Sequence, residues 1–278
     1  MDFNTIWQHV CTVRKQGPLV HNITNYVVMN NTANALLSAG ASPIMAHAPE
    51  EMEELVGIVN ALVLNIGTLS TPWIKSMLMA GDCARKRGIP VILDPVGAGA
   101  STLRTNTAMR IMQTASPAVV RGNGSEIMAL CGAGGGTKGV DSTMQAADAS
   151  GAAAHLARQY GCVVAVTGEE DIVMTDSCSV RIKGGSPLMG RVTGMGCTAT
   201  ALIGAYAAVA ESALAGTVSA LAVMATAGGM AAEKAAGPGS FQMHFYDALY
   251  VMTREDIEAQ VEIAVSGCPE SGNGGAGQ

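Results

Sequence analysis

Short runs of Val, Ile, Leu and Ala, most of them closing on a polar residue and followed by a helical stretch, govern what this chain can fold into. The runs are Pro18–Thr24, Ser42–Ala46, Ala61–Asn65, Pro90–Asp94, Ala118–Arg121 and Cys162–Thr167. A strand that is apolar on both sides must be covered on both faces, and strands joined through helices run parallel. The intervening patterns predict a helix over 26–39 stopped by Gly40 and another opening on Pro49-Glu-Glu-Met-Glu-Glu. A third runs from Trp73 to Arg87 and stops at Gly88, and the chain reads as helical from 197 to about 235. Asp171–Asp176 and Ser179–Lys183 read as an antiparallel hairpin at a sheet edge. The expected fold class is therefore α/β, with a largely parallel central sheet between two helical layers.

Composition narrows the class of function. Of 278 residues, 49% are apolar and only 4% aromatic, so the core is large but built from small side chains that let helices and subunits approach closely. The net charge is −6 and there is no basic stripe, which argues against a nucleic-acid partner. The seven cysteines are scattered without a Cys-x-x-Cys pair. That pattern reads as thiols of a reducing compartment, hence the cytoplasm, rather than a disulfide framework or a zinc site. Met1-Asp-Phe-Asn-Thr lacks the features of a secretory leader. The stretches 199–210 and 219–233 read as buried helices, too short and too weakly apolar to span a membrane. One domain is expected over 1–265, followed by a disordered Gly-rich tail over 266–278.

In open parallel sheets ligands sit beyond the carboxyl ends of the strands. The residues there are Asn22, Asn25, Met45, His47, Asn65, Asp94, Arg121, Asn123, Glu126 and Thr167, with Cys197 later in the chain. Val192-Thr-Gly-Met-Gly-Cys197 is a Gly-x-Gly turn feeding a helix, and the free N–H groups of such a turn suit an anion. The helix dipole would favour a thiolate at Cys197. Phosphate donors beside a possible base point to phosphoryl transfer to a small alcohol. Asp94 and Glu126 are two carboxylates at strand ends, a set that suits Mg²⁺. Glu126 could instead cap a helix opened by Asn123, and Asp94 could be a loop acid. Arg121 ends a buried strand and so must bind an anion or pair with an acid. Thr167 could face a phosphate or cap a turn. His21 and His47 read more readily as hydrogen-bonded structural residues than as catalysts. Met29, Met45 and Met195 either line an apolar pocket or fill the core.

Taken together, six stretches resemble the hydroxyethylthiazole kinases of the ribokinase-like superfamily. They are Pro18-Leu-Val-His-Asn-Ile-Thr-Asn-Tyr-Val-Val, Ala39-Gly-Ala-Ser-Pro-Ile-Met-Ala, Leu64-Asn-Ile-Gly-Thr-Leu, Asp94-Pro-Val-Gly-Ala-Gly, Arg121-Gly-Asn-Gly-Ser-Glu and Val192-Thr-Gly-Met-Gly-Cys. They occur in family order from 18 to about 200, and the Ala-rich remainder, read as all helical, is also similar. The resemblance implies a three-layer ribokinase-like α/β/α fold without a separate lid domain. It implies ATP-dependent phosphorylation of 4-methyl-5-(2-hydroxyethyl)thiazole in thiamine salvage. It further implies Mg²⁺ near Asp94 and Glu126, ATP contacts at Arg121 and Thr167, thiazole contacts near Asn25, Met45 and Gly194, and a homotrimer with active sites between subunits. Much of the superfamily carries an aspartate as base where this chain has Cys197, as the thiazole kinases do. Another small-molecule kinase of the superfamily, or a nicotinamide-hydrate dehydratase on the same fold, would expect that aspartate.

Overall fold

The computed structural model describes residues 2–132 and 142–267, with the side chains of all of these but 142–148. Among them, nine strands form one sheet. They are β1 (Leu19–Ile23), β2 (Ser42–Met45), β3 (Ala61–Asn65), β4 (Val91–Asp94), β5 (Val119–Gly122), β6 (Val163–Val166), β7 (Glu170–Met174), β8 (Ser179–Gly184) and β9 (Val261–Ser266). The spatial order is β2-β1-β3-β4-β5-β6-β7-β8-β9. The pairings from β2 through β6 are parallel, and those from β6 through β9 are antiparallel.

Successive strand residues face opposite sides, so each strand feeds two cores. Val20, Val63, Ile92, Val119 and Ala165 pack under helices Phe3–Gln16, Met29–Ala39, Met195–Ala207, Ala213–Lys234, Pro238–Val251 and Arg254–Gln260. Ile23, Leu64, Leu93, Val120 and Val164 face helices Met52–Val56, Thr71–Arg87, Thr102–Ala115, Gly124–Leu130 and Ser142–Tyr160. The result is a sheet between two helical layers. Several helices begin on a side-chain cap. Ser70 accepts the Trp73 N–H, Ser101 the Arg104 N–H and Ser212 the Ala215 N–H, each satisfying a donor the first turn leaves free.

The structure departs from the sequence reading in four places. The helix expected from residue 26 begins at Met29, because the Asn25 side chain accepts the Val27 N–H at 3.1 Å and holds 26–28 as a turn. The β7–β8 hairpin exists, but β9 takes the sheet edge beyond it, from a segment read as helical. Six residues that pair with a strand some eighty positions earlier carry little local signal of their own. The stretch 219–233 belongs to a 22-residue helix, Ala213–Lys234, that is long and apolar enough to cross a membrane by length and composition. Most of it is buried in the core under the sheet, which accounts for its apolar character. Finally, Cys178 is disulfide-bonded, whereas Cys11, Cys83, Cys131, Cys162 and Cys197 are free. The reading of the cysteines as thiols alone is corrected at that position. Pairing depends on which segments the fold brings together, and spacing along the chain does not reveal this. The tail expected over 266–278 lies outside the described residues beyond Gly267.

Candidate active site

Even spacing from core residues puts several strand-end polar groups on one face. Asn22 follows Val20 by two positions, Asn65 follows Val63, Asp94 follows Ile92, Arg121 follows Val119, and Thr167 follows Ala165. All five therefore point to the layer that contains the helix Met195–Ala207, whose first turn carries Cys197. Asn65 and Asp94 are direct neighbours in the β3–β4 register.

Asp94 is the centre of this group and is fully buried. Its Oδ2 accepts hydrogen bonds from Asn65 Nδ2 at 2.8 Å and Thr200 Oγ1 at 2.8 Å, and Arg121 Nη1 lies 3.7 Å away. Its Oδ1 is buried without a partner. Burial pushes the Asp94 carboxyl up to about 6, and the nearby Glu126 adds to the rise, against the pull of Arg121, Thr200 and Asn65. Arg121 also donates through Nη2 to Thr167 Oγ1, and its Nε is buried with no partner. An ion pair and an unsatisfied donor thus coexist in one guanidinium.

The glycine turn is built around that guanidinium. Gly194 precedes the helix with φ of 86°, a left-handed conformation that favours glycine. At Gly196 a Cβ would lie 2.6 Å from Arg121 Nη1, so the absence of a side chain is what lets the guanidinium lie against the first turn of the helix. Thr198 and Thr200 are buried on the same turn and the next.

Cys197 sits at that helix start, as expected, but its electrostatics are the reverse of the expectation. Burial and the neighbouring Asp94 push its thiol up to about 11, against the hydrogen bonds from Asn65 and Asn25 and the attraction of Arg121. The helix terminus does not prevail over the loss of hydration. Asn25 Nδ2 donates to Cys197 Sγ at 3.5 Å and to Asn65 Oδ1 at 2.9 Å.

Glu126 caps the helix Gly124–Leu130 in a capping box with Asn123. One carboxylate oxygen accepts the Asn123 N–H at 2.8 Å and the other the Gly97 N–H at 2.8 Å. It therefore ties the loop after β4 to the loop after β5. Met45 lies farther out, half-buried on the edge strand β2 opposite Asn22. Met195 is a core residue, and the fully buried His21 bonds to the Ala46 carbonyl at 3.0 Å, which fits a structural role.

Three residues at the site escaped the sequence reading. Thr200 lies one helical turn after Cys197, and that spacing was the available signal. Asp171, at the start of β7, accepts the Gly168 N–H at 3.0 Å, and burial pushes its carboxyl up to about 6 despite the pull of Arg121. Arg104 donates to the carbonyls of Ile66 at 3.2 Å, Val96 at 2.5 Å and Gly67 at 2.7 Å. It thereby holds the loops after β3 and β4 together, and nothing in its own sequence neighbourhood marks this.

The sheet order and the glycine turn over the strand ends define a ribokinase-like α/β protein. Pyridoxal kinase from Staphylococcus aureus in complex with ADP shares this fold at 17% identity with a TM-score of 0.59, covering 77% of this chain and 88% of that one. The hydroxyethylthiazole kinase family model matches residues 10–255. A hydroxyethylthiazole kinase of Nitratidesulfovibrio vulgaris (strain DSM 19637 / Miyazaki F) is 64% identical over 258 residues, 93% of this chain and 97% of that protein. The structure of the hydroxyethylthiazole kinase protein from Pyrococcus horikoshii OT3 superposes with a TM-score of 0.87 at 42% identity, covering 94% of this chain and 99% of that one. The chain belongs to the hydroxyethylthiazole kinase family.

The Gly196–Arg121 contact can be tested directly. Gly196→Ala should displace the guanidinium, leave the thermal midpoint within a few degrees, and weaken nucleotide triphosphate binding by roughly tenfold or more, the scale of a lost charge-assisted contact. Unchanged affinity by titration calorimetry in a folded variant would show that this contact does not serve the nucleotide.

Proposed function

We infer that this protein transfers the γ-phosphoryl group of ATP to the hydroxyl of 4-methyl-5-(2-hydroxyethyl)thiazole, a step of thiamine salvage. Family membership over nearly the whole chain carries this reading. The clustering of Asp94, Arg121, Thr167, Gly194 and Cys197 around one glycine turn supports it chemically.

In this reading Arg121, Thr167 and the N–H groups of the glycine turn receive the phosphates. The guanidinium, with its unpartnered Nε, offsets their charge, and the turn donates to the transferring group where charge accumulates. Asn25, Met45 and Gly194 line the side that takes the thiazole, with Cys197 beside the hydroxyl as the catalytic group. A thiol at about 11 is protonated at neutral pH, so Cys197 is a weak proton acceptor. A phosphoryl transfer that depends mainly on positioning and charge tolerates such a base.

The carboxylates fit a magnesium ion in part. Asp94 Oδ1 is a buried oxygen with no partner, the kind of hard donor the ion takes. Glu126 has both oxygens engaged by backbone N–H groups, so it would act through remaining lone pairs or water. Among the described residues no group of three His, Cys, Asp or Glu forms a metal cage. Bound Mg²⁺ would neutralise phosphate charge and help orient the nucleotide. We read residues 1–265 as one kinase domain and place the reaction in the cytoplasm, where the free thiols among the described residues stay reduced.

The direct test incubates the protein with ATP, Mg²⁺ and a panel of small alcohols. The thiazole alcohol should be phosphorylated in preference to sugars and to pyridoxal. Chelation by EDTA should abolish turnover, and Glu126→Gln should lower it strongly without unfolding. Absence of thiazole phosphate from a folded, metal-supplied enzyme would refute the assignment.

Cys197 gives a second test. A carboxylate is a better proton acceptor than a protonated thiol. Cys197→Asp should therefore retain or raise kcat, and Cys197→Ser should lower it. A well-folded Asp variant with no turnover would count against proton acceptance at this position.

We also propose a homotrimer with each site shared between neighbours. Tyr26 and Val27, next to Asn25, are well exposed apolar side chains at the mouth of the site, and a neighbouring subunit would cover them. Light scattering should give a trimer, and a fully active monomer would exclude the shared site.

A further inference from the structure

The loops after β1 and β3 and the first turn of the helix Met195–Ala207 meet at a single amide, that of Asn65. The residue is almost completely buried at 1% exposure, and both ends of its amide are engaged. Its Nδ2 donates to Asp94 Oδ2 at 2.8 Å. Its Oδ1 accepts the Gly67 N–H at 3.0 Å and Asn25 Nδ2 at 2.9 Å.

The direction of these bonds follows from chemistry. An ionised carboxylate only accepts, so Asn65 must turn its NH₂ toward Asp94. The backbone N–H of Gly67 only donates, so the Asn65 oxygen must face the other way. Both constraints select one amide orientation, and a flipped amide would fail at each end. That orientation sets the next residue. Asn25 has to present its NH₂ to the Asn65 oxygen, and its own Oδ1 is taken by the Val27 N–H at 3.1 Å. The second Asn25 amide hydrogen then reaches Cys197 Sγ at 3.5 Å. The sulfur is an acceptor in this relay, so the S–H hydrogen is left free to point away from Asn25.

We propose that Asn65 is a positioning residue for phosphoryl transfer: its amide transmits the acceptor character of Asp94 through Asn25 to Cys197, fixing the sulfur as a hydrogen-bond acceptor. The proposal rests on the kinase reading only in tying this geometry to turnover. The relay itself stands on the bonds above. Asn65 bonds to Asn25 and to Cys197 itself, both on the alcohol side, so its loss should act on kcat and on the thiazole side rather than on ATP binding.

Two small replacements separate this role from simple packing. Asn65→Ala removes both ends of the amide. Asn65→Ser keeps a short hydroxyl able to donate toward Asp94. With thermal midpoints close to one another, kcat should fall roughly 10- to 100-fold in the Ala variant, the range for small misplacements at a reacting centre, with partial recovery in the Ser variant. KM for ATP should stay within about threefold, since no phosphate contact is removed, while KM for the thiazole alcohol should rise as Asn25 loses its anchor. A readout independent of turnover is the alkylation rate of Cys197 by iodoacetamide, followed by peptide mass spectrometry. Loss of the Asn65 hydrogen bond to the sulfur, and of the orientation it gives Asn25, disfavours the thiolate, so alkylation should slow several-fold in both variants.

If the unsubstituted enzyme does not phosphorylate the thiazole alcohol, the kinase reading fails, while the alkylation result still judges the relay. Folded variants with unchanged kcat and unchanged alkylation would overturn the proposal. Should neither variant fold, deuterium exchange of the side-chain NH₂ groups in the unsubstituted protein decides. Slow exchange at both Asn25 and Asn65 is expected, and rapid exchange at either overturns the relay.

Discussion

A carboxylate taken wholly out of water must be matched by donors, and the position of Asp94 imposes that demand on everything around it. The donors come from three separate elements: Asn65 from the neighbouring strand, Thr200 from the helix above the sheet, and Arg121 from the strand on the far side. Each then constrains its own surroundings. Arg121 reaches Asp94 by lying against the helix start, which requires glycine at 196. Asn65 passes its orientation on to Asn25. The first turn of the helix Met195–Ala207 is therefore fixed from below by a buried charge as well as by apolar packing.

The loops that carry these groups have their own framework. Arg104 gathers carbonyls from the loops after β3 and β4, and Glu126 joins the loop after β4 to that after β5 through two backbone N–H groups. Both are charged side chains used on backbone groups, which lets them fix loop geometry whatever the neighbouring side chains are. Glu126 shows how closely structural and chemical roles can overlap. As a capping residue it has both oxygens engaged by backbone N–H groups, and it still contributes negative potential that raises Asp94.

Much of this was legible in the chain. Continuous apolar runs gave the parallel strands β1 to β6, and their polar terminal residues fell at the site because alternation is strict and ligands gather at strand ends. The turn at 194–197 was recognisable from its glycines alone. What could not be read was anything set by burial or by remote neighbours. The helix start was expected to favour a thiolate at Cys197, but the dipole is outweighed once the sulfur is enclosed next to Asp94. Arg104 carries no mark in its own stretch of sequence, and only the arrangement of two separate loops gives it partners. The strand β9 depends in the same way on a partner far away in sequence.

The late position of β9 has a consequence for synthesis. All six parallel strands and the helix bearing Cys197 precede residue 208, whereas the partner that covers β8 is made only at Val261–Ser266. On the ribosome, every strand-end group of the candidate site is already made while β8 remains an open edge, the kind of surface that pairs with other chains. A nascent or truncated chain that stops before residue 261 would keep the chemical groups of the site yet expose an uncapped strand, making self-association its characteristic failure.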